Sequence, residues 1–260
     1  MARTRADLIK RADKWIKEGL SELTGRDYTP FLTVRDVPSL GRRQRATSWT
    51  VGRLHHLLSN GESDYFYLSD FDPDIMDIRE QYPLLPYTET LSIATKLGVK
   101  HPYMHGELHI MTTDFLLTSK SEGLIPVAIK LSKELEKRRT IEKIDIERSY
   151  WKKRGLELKI VTEHELNTLK ADAIKFIHKY RSTKGLNLCP TLIINIQRQL
   201  EKRHSNPFQS AAKLADQVDD DLHLIDGTSL AVIRHLIAST KWLIDMDNGI
   251  DTTKPLVFRG

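Results

Sequence analysis

An aspartate stands inside the apolar run Met111-Thr112-Thr113-Asp114-Phe115-Leu116-Leu117, and a lysine closes the next run, Val127-Ala128-Ile129-Lys130. A charge embedded in an apolar strand is costly unless a partner satisfies it. That requirement limits the fold more than any other feature of the chain. Ile110 to Thr118 reads as a strand, Ser121-Glu122-Gly123 as a turn and Ile125 to Leu131 as a second strand. Antiparallel pairing then brings Asp114 and Lys130 together. Two readings stay open on these residues alone. One is a structural ion pair. The other is an active site, with Asp114 on a divalent cation and Lys130 stabilising developing charge or orienting the attacking water.

The flanking segments predict an α/β core. Leu8, Ala12, Trp15 and Ile16 recur at helical spacing, giving an amphipathic first helix. A loop-rich stretch follows, with Pro30, Pro38 and Gly41. Val51 to Leu68 reads as a helix whose middle is weakened by Gly61. Ile75 to Arg79 reads as a strand ending near Pro83, and Thr88 to Leu97 as a helix stopped by Gly98. After the hairpin come a long charged helix over 133–154, ended by Gly155, and a third strand over 156–161. That order is helix, strands, helix, strand.

From about residue 163 the pattern becomes helical, at 163–181, 187–203, 207–218 and 228–238. Lys241 to Asp247, Asn248-Gly249 and Leu256 to Arg259 suggest a small terminal hairpin. Short helices followed by a hairpin predict a winged-helix-like domain over 168–260, behind a first domain over 1–167.

Composition narrows the class. With 40% apolar and 29% charged residues the chain has a real core and a polar surface. The single cysteine, Cys189, excludes an internal disulfide and a cysteine-rich zinc site, and fits a reducing cytoplasm. No apolar run approaches the ~20 residues of a membrane span. The formal net charge is +5, but the basic residues cluster at Arg42, Arg43 and Arg45, at 137–139 and at 152–154. Such clusters suit either a solvated face or a nucleic-acid contact.

Glu62 completes a chemical pattern. The order Glu62, Asp114, hairpin, Lys130 is that of the PD-(D/E)xK restriction-endonuclease-like core. There carboxylates supply the hard oxygens that Mg²⁺ or Mn²⁺ requires. A lysine at the end of the second strand sits where charge grows on the attacked phosphate. His55 and His56 do not form a metal pair on a helix, since neighbours point roughly 100° apart.

Longer motifs carry a more specific resemblance. Tyr28-Thr29-Pro30-Phe31-Leu32-Thr33-Val34-Arg35-Asp36-Val37-Pro38-Ser39 with Gly41-Arg42 is one, and Gly52-Arg53-Leu54-His55-His56-Leu57-Leu58-Ser59 is another. Asp77-Ile78-Arg79-Glu80-Gln81-Tyr82-Pro83-Leu84, Lys100-His101-Pro102, Thr113-Asp114-Phe115 and Arg139-Thr140-Ile141-Glu142-Lys143 running to Glu147-Arg148-Ser149-Tyr150-Trp151 follow in order. Over roughly residues 28–162 the chain resembles the TnsA-type endonuclease subunits of heteromeric cut-and-paste transposases.

The resemblance implies that Glu62, Asp114 and Lys130 are catalytic. Glu62, Asp114 and the Ile129 carbonyl would hold the metal, and Glu147 is an additional candidate. Arg42, Arg43, Arg45, Arg53, His55 and His56 are candidate DNA contacts. In the lysine motif the residue two before the lysine is often polar; here it is Ala128, on the Lys130 face, which leaves room for water. The resemblance further implies cleavage at the 5′ ends of a transposon, with a TnsB-type transposase and a TnsC-type AAA+ ATPase as partners. It implies a cytoplasmic protein that joins the nucleoid during transposition. Two rivals remain: a stand-alone restriction or repair endonuclease, which the same three residues would serve, and a non-catalytic assembly factor, against which the presence of Glu62, Asp114 and Lys130 together argues.

Overall fold

The computed structural model describes residues 5–36, 43–104, 107–203 and 209–259. The chain divides into two compact units, 1–166 and 167–260. The first contains α1 (Arg5–Glu18), β1 (Gln44–Thr47), β2 (Leu54–Leu57), α2 (Asn60–Phe71), β3 (Ile75–Pro83) and α3 (Tyr87–Lys96). It continues with β4 (Tyr103–Met104), β5 (Glu107–Leu108), β6 (Thr112–Ser119), β7 (Gly123–Ile129), α4 (Arg138–Lys152) and β8 (Lys159–Val161). Four of these strands form the central sheet in the order β3-β6-β7-β8. β3, β6 and β7 are antiparallel neighbours, and β8 joins β7 in parallel after the crossover through α4.

Alternation along the strands builds two apolar layers. Leu116 and Ala128 face a core with Ile93 of α3 and Ile144, Tyr150 and Trp151 of α4. Phe115, Leu117 and Val127 face the other way, onto Phe66 of α2. A third cluster sets Ala12 and Trp15 of α1 against Tyr28, Phe31 and Ile110.

The helix expected over 51–68 is corrected. Leu54–Leu57 is a strand paired with β1, Arg45 opposite His56 and Ala46 opposite His55, and the helix starts only at Asn60. Two tertiary features impose this. The Asp70 carboxylate pins the preceding turn, accepting from the backbone N–H groups of Trp49 at 2.7 Å and Thr50 at 3.0 Å. Arg53 and His55, alternate residues that share one side of an extended strand, both reach the buried Glu80. Gly61 thus lies in the first turn of α2, not in the middle of a helix. The long charged helix is shorter than expected, because Ser132–Glu134 is a separate 3₁₀ turn. Pro38 and Gly41 of the expected loop lie outside the described residues.

The second unit contains α5 (Thr168–His178), α6 (Pro190–Arg203), α7 (Ala211–Leu222) and α8 (Thr228–Ala238). Asn167 and Ser210 cap α5 and α7, and Pro190 stands at the first position of α6, where its missing N–H costs nothing. α8 packs against the other three helices, and Val232, Ile233, Leu236, Ile237 and Ala238 are buried. The buried Asp219 carboxylate accepts from the N–H groups of Gly227 and Ser229 at the start of α8. Of the hairpin expected over 241–259, the described residues form one isolated bridge, Ile244 to Phe258.

Candidate active site

Glu62 is set by a cap. Ser59 precedes α2, its hydroxyl accepting from the Glu62 N–H at 3.1 Å and donating to Glu62 Oε1 at 3.1 Å. Glu62 Oε2 accepts from the Leu58 N–H at 2.9 Å and from Gln81 Nε2 at 3.3 Å. A Ser with Glu three residues on is a capping-box signature, so the true helix start was legible in Ser59-Asn60-Gly61-Glu62. Gly61 explains how close the helix comes. A Cβ there would stand 2.9 Å from Ile129 Cγ2, so the bare glycine lets the first turn of α2 rest on the end of β7.

Asp114 comes from near the start of β6. Its Oδ2 accepts from the Ile129 N–H at 2.7 Å and from Lys130 Nζ at 2.7 Å. Lys130 Nζ also donates to the Ile129 carbonyl at 2.9 Å. Two oxygens expected to hold a cation thus converge on one cationic nitrogen. α4 brings in Glu147, which is buried, with Oε1 lacking any hydrogen-bond partner.

The electrostatics follow from this crowding. Burial and the Asp114 charge push the Glu62 carboxyl up to about 7. Burial also pushes Glu147 up to about 7, with Lys130 opposing and Asp114 reinforcing the rise. Burial works against the Lys130 charge, but Asp114, Glu147 and Glu62 outweigh it and raise the lysine above its ordinary value. Three carboxylates around one ammonium leave negative charge uncompensated.

A divalent cation fits this donor set: hard oxygens, one orphaned carboxylate oxygen and surplus negative charge. Among the described residues no group of three or more His, Cys, Asp or Glu is arranged to hold a metal by itself. Mg²⁺ commonly uses one or two carboxylates and keeps several waters.

Several expectations change here. Ala128 is fully buried in the core with Leu116, Ile144 and Trp151. It leaves no room for water. Arg53 and His55 are withdrawn as DNA contacts. Arg53 Nη2 lies 2.5 Å and His55 Nδ1 2.9 Å from Glu80 Oε2, beneath the β1–β2 hairpin. Glu80 has no solvent exposure, and despite its burial His55 and Arg53 hold its carboxyl down to about 2. His56 is half-buried, its N–H donating to Glu80 Oε1 at 3.1 Å and its Nδ1 accepting from the Val34 N–H. Arg45 is exposed on β1, and the exposed Arg43 donates to the Val34 carbonyl at 2.5 Å. Arg42 lies outside the described residues. Sequence reasoning missed Glu80 and Gln81, although consecutive polar residues inside a strand are the same signal that singled out Asp114.

Residues 72–163 match the family described as TnsA-like endonuclease N terminal, and residues 165–246 match TnsA endonuclease C terminal. The transposon Tn7 transposition protein TnsA of Escherichia coli is 34% identical over 226 residues, covering 86% of this chain and 81% of that protein. The chain belongs to the TnsA endonuclease family. It is a nuclease by that membership. The N-terminal family match includes Asp114, Ile129, Lys130 and Glu147 but starts after Glu62.

Proposed function

We propose that this TnsA-family chain is the metal-dependent DNA endonuclease of a Tn7-type transposition machinery and cuts the 5′ ends of the transposon. The observation that carries this reading is the convergence of Asp114 Oδ2 and the Ile129 carbonyl on Lys130 Nζ, beside the buried carboxylates Glu62 and Glu147. Glu62, Asp114 and the Ile129 carbonyl would hold Mg²⁺ or Mn²⁺, with Glu147 as the further carboxylate. When bound, such a cation polarises the scissile phosphate and acidifies water. Lys130 keeps its proton and presents positive charge to the phosphate, where negative charge grows. Ser59 and the Leu58 N–H orient Glu62, and the Ile129 N–H orients Asp114. Unit 1 carries this PD-(D/E)xK chemistry. The second unit, winged-helix-like, binds DNA and the partners: a TnsB-type transposase that cuts and joins the 3′ ends, and a TnsC-type ATPase.

Asp114→Ala in the assembled machinery tests the assignment. The 5′ cut is lost while 3′ joining by the transposase continues, so fused, branched products replace excised transposon. Full cleavage in excess chelator, or loss of both cuts by a mutant that still assembles, overturns the reading.

A further inference from the structure

The β3–β6 ladder pairs Glu80 with Phe115 and Tyr82 with Thr113, which puts Gln81 opposite Asp114. Gln81 itself drops out of the pairing, with φ at 49°, a left-handed conformation uncommon for a residue with a side chain. Its backbone carbonyl accepts from the Phe31 N–H at 3.3 Å, outside the sheet. The side chain is buried and spans two partners. Nε2 donates to Glu62 Oε2 at 3.3 Å, and Oε1 accepts from Thr112 Oγ1 at 3.1 Å. An ionised carboxylate only accepts, so the Glu62 contact fixes which end of the amide faces it. Strain of this kind persists only where the surroundings over-determine it, and it gathers at functional sites.

We propose that Gln81 is a positioning residue that holds the Glu62 carboxylate toward Asp114 for the metal-dependent cut. The proposal rests on the assignment of Glu62 to the active site. Two linkages support it. Ser59 and Leu58 fix Glu62 from its own helix, whereas Gln81 ties it to the sheet that carries Asp114. The amide is therefore a direct hydrogen-bonded bridge between α2 and β3 at the site. It also explains why a strained residue is kept there: a regular strand residue would point its side chain along the ordinary alternation of the sheet.

Gln81→Asn and Gln81→Gly separate this role from a purely structural one. Both residues accept a positive φ at least as readily as glutamine, so the backbone is kept or eased. Asparagine is one carbon too short to reach Glu62, and glycine has no amide. In the full-length chain, melting temperature reports the fold, calorimetric titration with Mn²⁺ alone reports cation binding, and cleavage is read in the assembled machinery across Mn²⁺ concentrations. The expected result is an unchanged or raised melting temperature, with Mn²⁺ affinity and cleavage each reduced about 10- to 100-fold, the usual effect of removing a residue that orients a metal ligand. Wild-type cleavage and Mn²⁺ binding in both variants overturn the proposal. So does a fall in melting temperature that accounts for the lost activity. Glu62→Ala is run alongside: if it cleaves normally, the assignment of Glu62 has failed, a result distinguishable from failure of Gln81 alone.

Discussion

At the scale of single residues, the site is held together against its own electrostatics. Glu62 and Glu147 each titrate at about 7 when folded, against an ordinary 4.5. Below pH 4.5 both folded and unfolded chains hold these protons, and neither carboxyl costs stability. As pH rises toward 7 the unfolded chain releases its protons first, so stability falls, and the loss is complete above about 7. Glu147→Gln removes this penalty. It is expected to raise the melting temperature at pH 8, by at most about 3 kcal/mol of stability, and to leave it unchanged at pH 4. A variant less stable than wild type at pH 8 would show that Glu147 is an essential structural partner. Glu80 has the opposite sign. Its carboxyl is held at about 2, so the stability it contributes is present above pH 4.5 and is lost as pH falls toward 2. Glu80→Gln leaves the buried Arg53 without its counter-charge, and is expected to cost about 3–5 kcal/mol at pH 7, measured by denaturant unfolding.

At the scale of elements, the decisive contact is between the N-terminal turn of α2 and the end of β7. Alanine is ordinarily the better helix residue by about 1 kcal/mol. At position 61 it would press on Ile129 Cγ2 at 2.9 Å, and relief requires α2 or Ile129 to move. Gly61→Ala is therefore expected to reduce cleavage about 100-fold, the scale of a 1 Å misplacement of a reacting group. The pair Gly61→Ala with Ile129→Ala removes the clashing methyl and keeps the backbone carbonyl, so cleavage should recover relative to the single variant. Equal activity of the single and double variants would mean that the close approach does not position Glu62.

At the scale of the whole molecule, each unit has its own apolar interior: the sheet with its two helical layers in 1–166, and the three helices α5, α6 and α7 packed on α8 in 167–260. Fragment 1–166 is expected to unfold cooperatively by itself, and to lose most capture of the TnsB- and TnsC-type proteins in a pull-down. Capture equal to that of the full chain would move the partner surface to the first unit. The buried state of α8 bears on the same question. Its Val232, Ile233, Leu236 and Ile237 fill the interior, so a nucleic-acid contact by this unit has to use other elements.

The sequence by itself determined the hairpin and its two charges. Asp114 and Lys130 had to meet, because an apolar strand cannot carry either alone, and they stand 2.7 Å apart. It also determined the helix-then-strand succession after the hairpin and the helical character of the chain beyond about residue 163, where local periodicity and burial agree. Only the tertiary structure decided what lies between residues 51 and 58. Hydrophobic periodicity proposes a helix there, but Arg53 and His55 have their partner at Glu80, on a strand more than twenty residues away, and extended backbone is what lets both reach it. The same holds at the site. Glu62 was readable as a helix carboxylate, and its place beside Asp114 depends on Gly61 meeting Ile129 and on the strained Gln81. Close approaches and cross-strand hydrogen bonds are long-range in sequence, so no local pattern encodes them.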